Sequence, residues 1–180
     1  MPINALHVSN FKGIGGAERI DIRPITIFIG PNSSGKSSCI HALAALSQTV
    51  KLPNNTRPLV LDDEFASVHL GRFIEVIHSK SYTDAVMIGL EVGAIQFAVA
   101  SEAAEGKEPR LHIDHREGLG KAVYSFKCTR RTQDTYLGAA TLSVGDLSYE
   151  VKRIGTGYEV LATDTKKRFI RDLRGRPDGF

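Results

Sequence analysis

The chain has 180 residues, 42% hydrophobic and 24% charged, with a formal net charge of +3. That balance excludes a disordered or low-complexity polypeptide and leaves room for one domain with a real core, while a charge this small does not by itself argue for nucleic acid. Two cysteines, Cys39 and Cys128, fit neither a disulfide framework nor a zinc site, and no apolar run approaches the roughly 20 residues of a bilayer span, so a reducing, cytoplasmic setting without a membrane is the expectation.

Residues 5–8 read as a strand, followed by a glycine-marked break over 10–16. Residues 19–23, Arg-Ile-Asp-Ile-Arg, alternate strictly and place Ile20 and Ile22 on one face of a half-exposed strand. Residues 25–29, Ile-Thr-Ile-Phe-Ile, are nearly all apolar and predict a strand covered on both faces. Helical spacing follows from 35 to 50, with Ile40, Leu43, Ala44 and Ser47 on one face and Pro53 and Asn54-Asn55 ending the run. A short helix is expected around 73–78. Strands are expected at 86–90, 95–99, 111–113 and 123–126, with an exposed loop at 101–109. Residues 142–149 turn around Gly145-Asp146 and residues 151–160 around Gly155-Thr156-Gly157, which extends an antiparallel meander. The tail, 163–180, is basic, and Phe169, Ile170 and Leu173 would line a short helix ending at Gly175. The last residues complete no element, as expected of a piece of a longer protein.

The chemistry concentrates in Gly30-Pro31-Asn32-Ser33-Ser34-Gly35-Lys36-Ser37, which matches Gly-x-x-x-x-Gly-Lys-Ser/Thr in full. A polyphosphate needs many donors within a small radius, and successive backbone N–H groups of a glycine-rich turn supply them without side-chain obstruction. Gly30 and Gly35 permit the close approach, Lys36 reaches the β- and γ-phosphates, and the Ser37 hydroxyl is placed to ligate magnesium. The following helix adds its N-terminal partial charge. ATP with Mg2+ is the implied ligand. The competing reading is a Gly/Ser-rich turn between a strand and a helix.

Other constellations are weaker. Residues 59–64, Leu-Val-Leu-Asp-Asp-Glu, resemble the acidic strand of P-loop ATPases, but they follow the loop too closely, and an acidic turn is the simpler reading. His41, His69, His78, His112 and His115 show no metal-ligand spacing, and nothing supports Ser/His/Asp catalysis.

The run Leu6-His7-Val8-Ser9-Asn10-Phe11-Lys12-Gly13, a hairpin, and then residues 27–38 together resemble the start of RecF/SMC/OLD-type ATPase heads, which are ABC-like. The helix end at 42–50, and Leu70-Gly71-Arg72-Phe73 followed by Val76-Ile77-His78, resemble the OLD-like branch. The likeness is close over residues 3–50 and looser over 59–92. It implies an α/β P-loop NTPase of the ABC/SMC-head type, with a mixed sheet around the P-loop helix and an antiparallel β-meander. The single partial head would divide into 1–58, a mainly β part at 59–162 and the basic tail at 163–180. Asn32 through Ser38 would wrap the phosphates, Ser37 would hold magnesium, and Lys12 would lie over the nucleotide. Such heads also use a glutamine near the metal, a role for which Gln48, Gln96 and Gln133 are poorly placed.

The resemblance further implies a homodimer through the nucleotide face and work in DNA repair or anti-phage defence, with DNA or a nuclease as partner. No signature motif and no downstream acidic strand accompany the loop, so an N-terminal lobe that binds nucleotide weakly and hydrolyses it poorly is expected, with no catalytic residue of its own. Two alternatives remain at this point: an ATP-responsive, non-catalytic interaction module and a small P-loop kinase. Arg130-Arg131 and the basic tail are candidate phosphate contacts, set against a reading as solvated charges on a β edge.

Overall fold

A computed structural model describes residues 3–51, 57–97, 116–132, 134–155, 157–164 and 167–171. In chain order the elements are β1 (Ile3–Phe11), β2 (Ile14–Asp21), α1 (Lys36–Lys51), α2 (Phe73–Val76), β3 (Val86–Phe97), β4 (Arg116–Cys128), β5 (Thr135–Val144), β6 (Leu147–Ile154), β7 (Gly157–Asp164) and β8 (Lys167–Arg171). The strands make one sheet in the order β2-β1-β3-β4-β5-β6-β7-β8. Every pairing among the described residues is antiparallel, so the expected mixed sheet is replaced by an antiparallel one that runs unbroken from the N-terminal hairpin into the meander.

The predicted hairpins form. Gly145 and Asp146 turn β5 into β6, with Val144 opposite Leu147, and Ile154 lies opposite Gly157 where β6 meets β7. The strands expected at 86–90 and 95–99 are one strand, β3, continuous through a register shift between Val92 and Ala94. The predicted strand at 111–113, the loop at 101–109 and the end of the tail, 172–180, lie outside the described residues. Residues 167–171 form a strand where a helix was predicted: Phe169 pairs with Ala162 and Ile170 with Leu161, on the free edge that β7 offers. A nearby unpaired ladder outweighs a helical spacing carried by few apolar residues.

α1 lies against the sheet over a core of Leu6, Val8 and Phe11 from β1, Val86 and Ile88 from β3, and Phe126 and Cys128 from β4. Its buried residues are Ser38, Cys39, Ala42, Ala45 and Gln48. The predicted face is therefore misplaced: Ile40 is 57% exposed and Ser47 is exposed, while Leu43 and Leu46 only flank the core. Small side chains let the helix approach the strands closely, and that requirement overrides bulk hydrophobicity in choosing the buried stripe. Burial raises the pKa of both thiols, Cys39 and Cys128, and neither is in a disulfide.

Residues 25–29 depart furthest from expectation. They belong to no strand, and Ile25, Ile27 and Ile29 are 81%, 75% and 90% exposed, while Phe28 packs on the core. A strand covered on both faces needs neighbours, but β1 has both its edges taken by β2 and β3, and the open edge of β2 does not pair with these residues. The alternation is present, but among the described residues no ladder receives it.

One charge cluster crosses the first three strands. Arg19 on β2 donates through Nε and Nη2 to the two carboxylate oxygens of Glu91 on β3, at 3.2 and 2.7 Å, and also pairs with Asp21. His7 on β1 lies 2.6 Å from the same carboxylate. The Arg19 hydrogen bonds, and then the one from His7, hold the Glu91 pKa down to about 2 from 4.5. A carboxylate with a depressed folded pKa contributes stability above its unfolded value and loses it as pH falls through the folded value. Glu91→Gln is therefore expected to destabilise at neutral pH by about 1 kcal/mol, allowing for solvent screening. The difference from the unsubstituted chain should close between about pH 4.5 and 2 in urea unfolding curves. A pH-independent difference would rule this account out.

Among the described residues, no helix is long and apolar enough to cross a membrane.

Candidate functional site

Residues 30–35 carry the chain from the exposed isoleucine run into the first turn of α1. The turn requires left-handed backbone at Ser33 (φ 67°) and at Gly35 (φ 89°). A Cβ on Gly35 would also meet Ile14 Cγ1 at 3.2 Å, so glycine is needed there for both conformation and space. Pro31, Asn32, Ser33, Ser34 and Ser37 are exposed and Gly35 is buried. The Ser34 amide donates to the Pro31 carbonyl at 3.4 Å and the Ser38 amide to the Gly35 carbonyl at 3.0 Å. Among the described residues, the amides of Asn32, Ser33, Gly35, Lys36 and Ser37 find no acceptor. Five uncommitted N–H donors at the start of a 16-residue helix suit a polyanion.

Lys36 spans this loop. Its Nζ donates to the Gly30 carbonyl at 2.7 Å and to the Pro31 carbonyl. The ammonium is thus held over the backbone that would face a polyphosphate. Ser37 is exposed, as a magnesium ligand must be, whereas Ser38 is buried and its hydroxyl accepts from the Gly13 amide at 3.1 Å.

That last bond belongs to a clasp formed by the turn between β1 and β2. Asn10 has left-handed backbone (φ 55°), and its side chain donates to Ala85 O at 3.0 Å and accepts from the Ser79 amide at 2.9 Å. Phe11 is fully buried, and the Lys12 amide donates to Val76 O. His78 Nδ1 donates to the Lys12 carbonyl at 2.7 Å. Asn10 and Lys12 thus fix the turn to the segment after α2, and Gly13 touches the phosphate loop. A Cβ on Gly13 would lie 3.0 Å from Gly35 Cα and 3.1 Å from Gly35 N.

Gly13→Ala must therefore push backbone against backbone, at a cost of about 1–3 kcal/mol. The expected result is weaker Mg-ATP binding in calorimetry, with far-UV circular dichroism unchanged. Binding equal to that of the unsubstituted chain would show that the contact does not shape the loop.

Lys12 itself is half-buried. Its charge reaches His41 on α1, whose pKa is lowered first by burial and then by Lys12. His41 is thus kept neutral near pH 7, and its Nδ1 is buried without a partner among the described residues.

The remaining sequence candidates serve the fold. Leu59, Val60 and Leu61 are buried, and Asp62 lies 2.7 Å from His69 Nδ1, so residues 59–64 feed the core and a surface pair. Gln48 is 2% exposed and spends its amide on backbone groups of Val60 and Val68. Gln133, His112 and His115 lie outside the described residues, and among those described no group of three or more His, Cys, Asp or Glu could hold a metal ion.

The residues that sequence reasoning left without a role in the site are Asn10 and Gly13; Ser38, expected to wrap the phosphates, instead is buried with its hydroxyl on the Gly13 amide and its own amide on the Gly35 carbonyl. The available signal was a glycine directly after a basic turn residue. Its meaning depends on a contact spanning 25 positions, which no local pattern encodes.

No curated protein and no solved structure matches the chain. The AAA ATPase domain family matches it over residues 1–136, which takes in the β1–β2 clasp, the phosphate loop, α1 and the sheet as far as the start of β5. A match over most of the length, which includes the loop with five uncommitted amides and a lysine across it, places this chain in the AAA ATPase domain family.

Proposed function

We propose that this chain is the nucleotide-binding lobe of an ATPase head of the RecF/SMC/OLD type, taking ATP with magnesium on residues 30–37. The observation that carries the reading is the clasp: the Asn10-Phe11-Lys12-Gly13 turn sits on the phosphate loop through Gly13 and Ser38. This joins the two segments on which the resemblance rests into one site. The loop amides and Lys36 would bind the β- and γ-phosphates. Lys12, whose charge already reaches the first turns of α1, would add a second cation over the nucleotide. The exposed Ser37 hydroxyl would hold magnesium, whose charge offsets that of the phosphates. Dimerisation through this face, and service in DNA repair or anti-phage defence beside DNA or a nuclease, are what such a head would do.

The small-kinase reading loses support, because those enzymes alternate strands and helices around a parallel sheet and every described pairing here is antiparallel. A nucleotide-responsive interaction module keeps one observation in its favour. The exposed Ile25, Ile27 and Ile29 lead directly into the loop, so a change in the loop would be felt by whatever covers them.

Calorimetric titration of Mg-ATP into the chain, with a magnesium-free control, tests the main reading. Saturable binding that weakens without magnesium is expected. Equal binding with and without magnesium would overturn the assignment of Ser37. A nucleotide-dependent change in partner affinity without turnover would favour the module.

A further inference from the structure

On the side of the sheet turned away from α1, β4, β5 and β6 form an open groove of about 620 Å³. The side follows from the pleat. Phe126 and Cys128 of β4 and Leu137 of β5 pack in or against the α1 core, and the lining residues Ser125, Lys127, Tyr136 and Gly138 alternate with them. Three cations line the groove, Lys127, Lys152 and Arg153, and among the described residues no carboxylate does. Lys152 is paired with Glu150 at 2.9 Å, and Glu159 lies opposite it in the ladder. Lys127 and Arg153 face Tyr136 and Tyr158 across their ladders instead, and neither makes an ion pair with a described residue. Arg153 lies over the Tyr136 ring, 4.2 Å from the centroid, and its Nε donates to Gly155 O at 3.1 Å. The guanidinium plane is thus fixed in place and still partly exposed. The turn beyond Lys127 adds Arg130 and Arg131, both exposed, next to the lining residue Thr129.

We propose that this groove binds the backbone and bases of a single-stranded nucleic acid. Two cations free of carboxylate partners among the described residues, Lys127 and Arg153, attract phosphodiesters. An arginine stacked on tyrosine at a sheet surface gives bases a planar platform of the kind that single strands use without sequence preference. The inference gives the proposed DNA-linked role a surface, but it stands on residues separate from the nucleotide loop.

The test is fluorescence anisotropy of a labelled 20-nucleotide oligothymidylate with the 180-residue chain between 50 and 200 mM salt. Saturable binding is expected, with log K falling against log salt at a slope of about −1.5 to −2, as two or three phosphate contacts on a single strand require. The double variant Lys127→Gln/Arg153→Gln should bind at least tenfold more weakly. Lys51→Glu, which removes the same net charge at the far end of α1, should bind within twofold of the unsubstituted chain. Lys36→Ala should also leave oligonucleotide binding unchanged, so failure of the nucleotide site and failure of the groove are separately visible. Tyr136→Leu should weaken binding severalfold through loss of the platform. Lys152 and Arg153 are exposed and Lys127 is half-buried, and thermal melting checks that the variants fold. Undiminished binding by the double variant overturns the proposal. So does equal weakening by Lys51→Glu, or equally tight binding of inorganic polyphosphate of matched charge, which would make the groove a general anion site.

Discussion

Lys36→Ala is expected to lower affinity for Mg-ATP about 10- to 150-fold, while the stability of the fold changes by less than about 1 kcal/mol. The two halves of this expectation have different origins. Charge-assisted hydrogen bonds from an ammonium to phosphate oxygens contribute about 1.5–3 kcal/mol, which sets the loss of affinity. The small stability change follows from where Lys36 sits: at the first position of α1, half-buried, its Nζ bonded among the described residues only to the Gly30 and Pro31 carbonyls of the loop itself. Those carbonyls are exposed, and water replaces the lost donor at little cost. Calorimetry beside urea unfolding reads both quantities. Unchanged affinity with unchanged stability would mean that the loop holds its phosphates through backbone amides alone, or holds none. A large loss of stability would mean instead that the Lys36 bridge is structural.

How much of this was legible in the sequence depends on how local the determining contact is. The hairpins at Gly145-Asp146 and around Gly155 were legible because a turn and the alternation on either side lie within a dozen residues. The glycine turn over residues 30–37 leading into α1 was legible for the same reason, since its glycines, lysine and serine lie within eight positions. Residues 25–29 have a strand's composition, but composition states only that a strand would be tolerated. Pairing requires a partner strand, and β1 gave both of its edges to β2 and β3 while the open edge of β2 does not take these residues up. The tail went the other way: Phe169 and Ile170 fit a helix stripe or a strand equally, and the open edge of β7 decided between them. In α1 the hydrophobic residues were found but the buried face was not, because Ala42 and Ala45 are chosen by the closeness of the sheet and not by their own hydrophobicity. The clasp of Gly13 on Gly35 is the extreme case, a contact between two short turns that only the assembled β1–β2–α1 unit brings together.

The second large effect is expected at Gln48, and it falls on stability. Replacement by leucine should cost about 2–4 kcal/mol in urea unfolding, leaving Lys36 and its loop chemistry in place. Gln48 is 2% exposed near the end of α1. Its Nε2 donates to Val60 O at 2.8 Å and to Val68 O at 3.3 Å, and its Oε1 accepts from the Val68 amide at 3.1 Å. Thr49 beside it accepts from the Val60 amide at 2.9 Å. One amide side chain therefore satisfies both ends of a segment that lacks helix and strand, and this lets Leu59, Val60, Leu61 and Leu70 stay buried without a sheet of their own. Leucine keeps roughly the volume but leaves three backbone groups without their partner, and each buried, unsatisfied group costs about 1–3 kcal/mol before relaxation. The total falls short of the sum because the segment can open and admit water. Hydrogen exchange should show that opening as lost protection at Val60 and Val68 with the β4–β5 amides unaffected. Gln48→Glu separates shape from hydrogen bonding. Its carboxylate has no donor for Val60 O or Val68 O, so it should destabilise near neutral pH, and protonation at low pH should restore one donor and part of the stability. If Gln48→Leu unfolds at the same urea concentration as the unsubstituted chain, the segment from 57 to 70 is held by its apolar side chains alone.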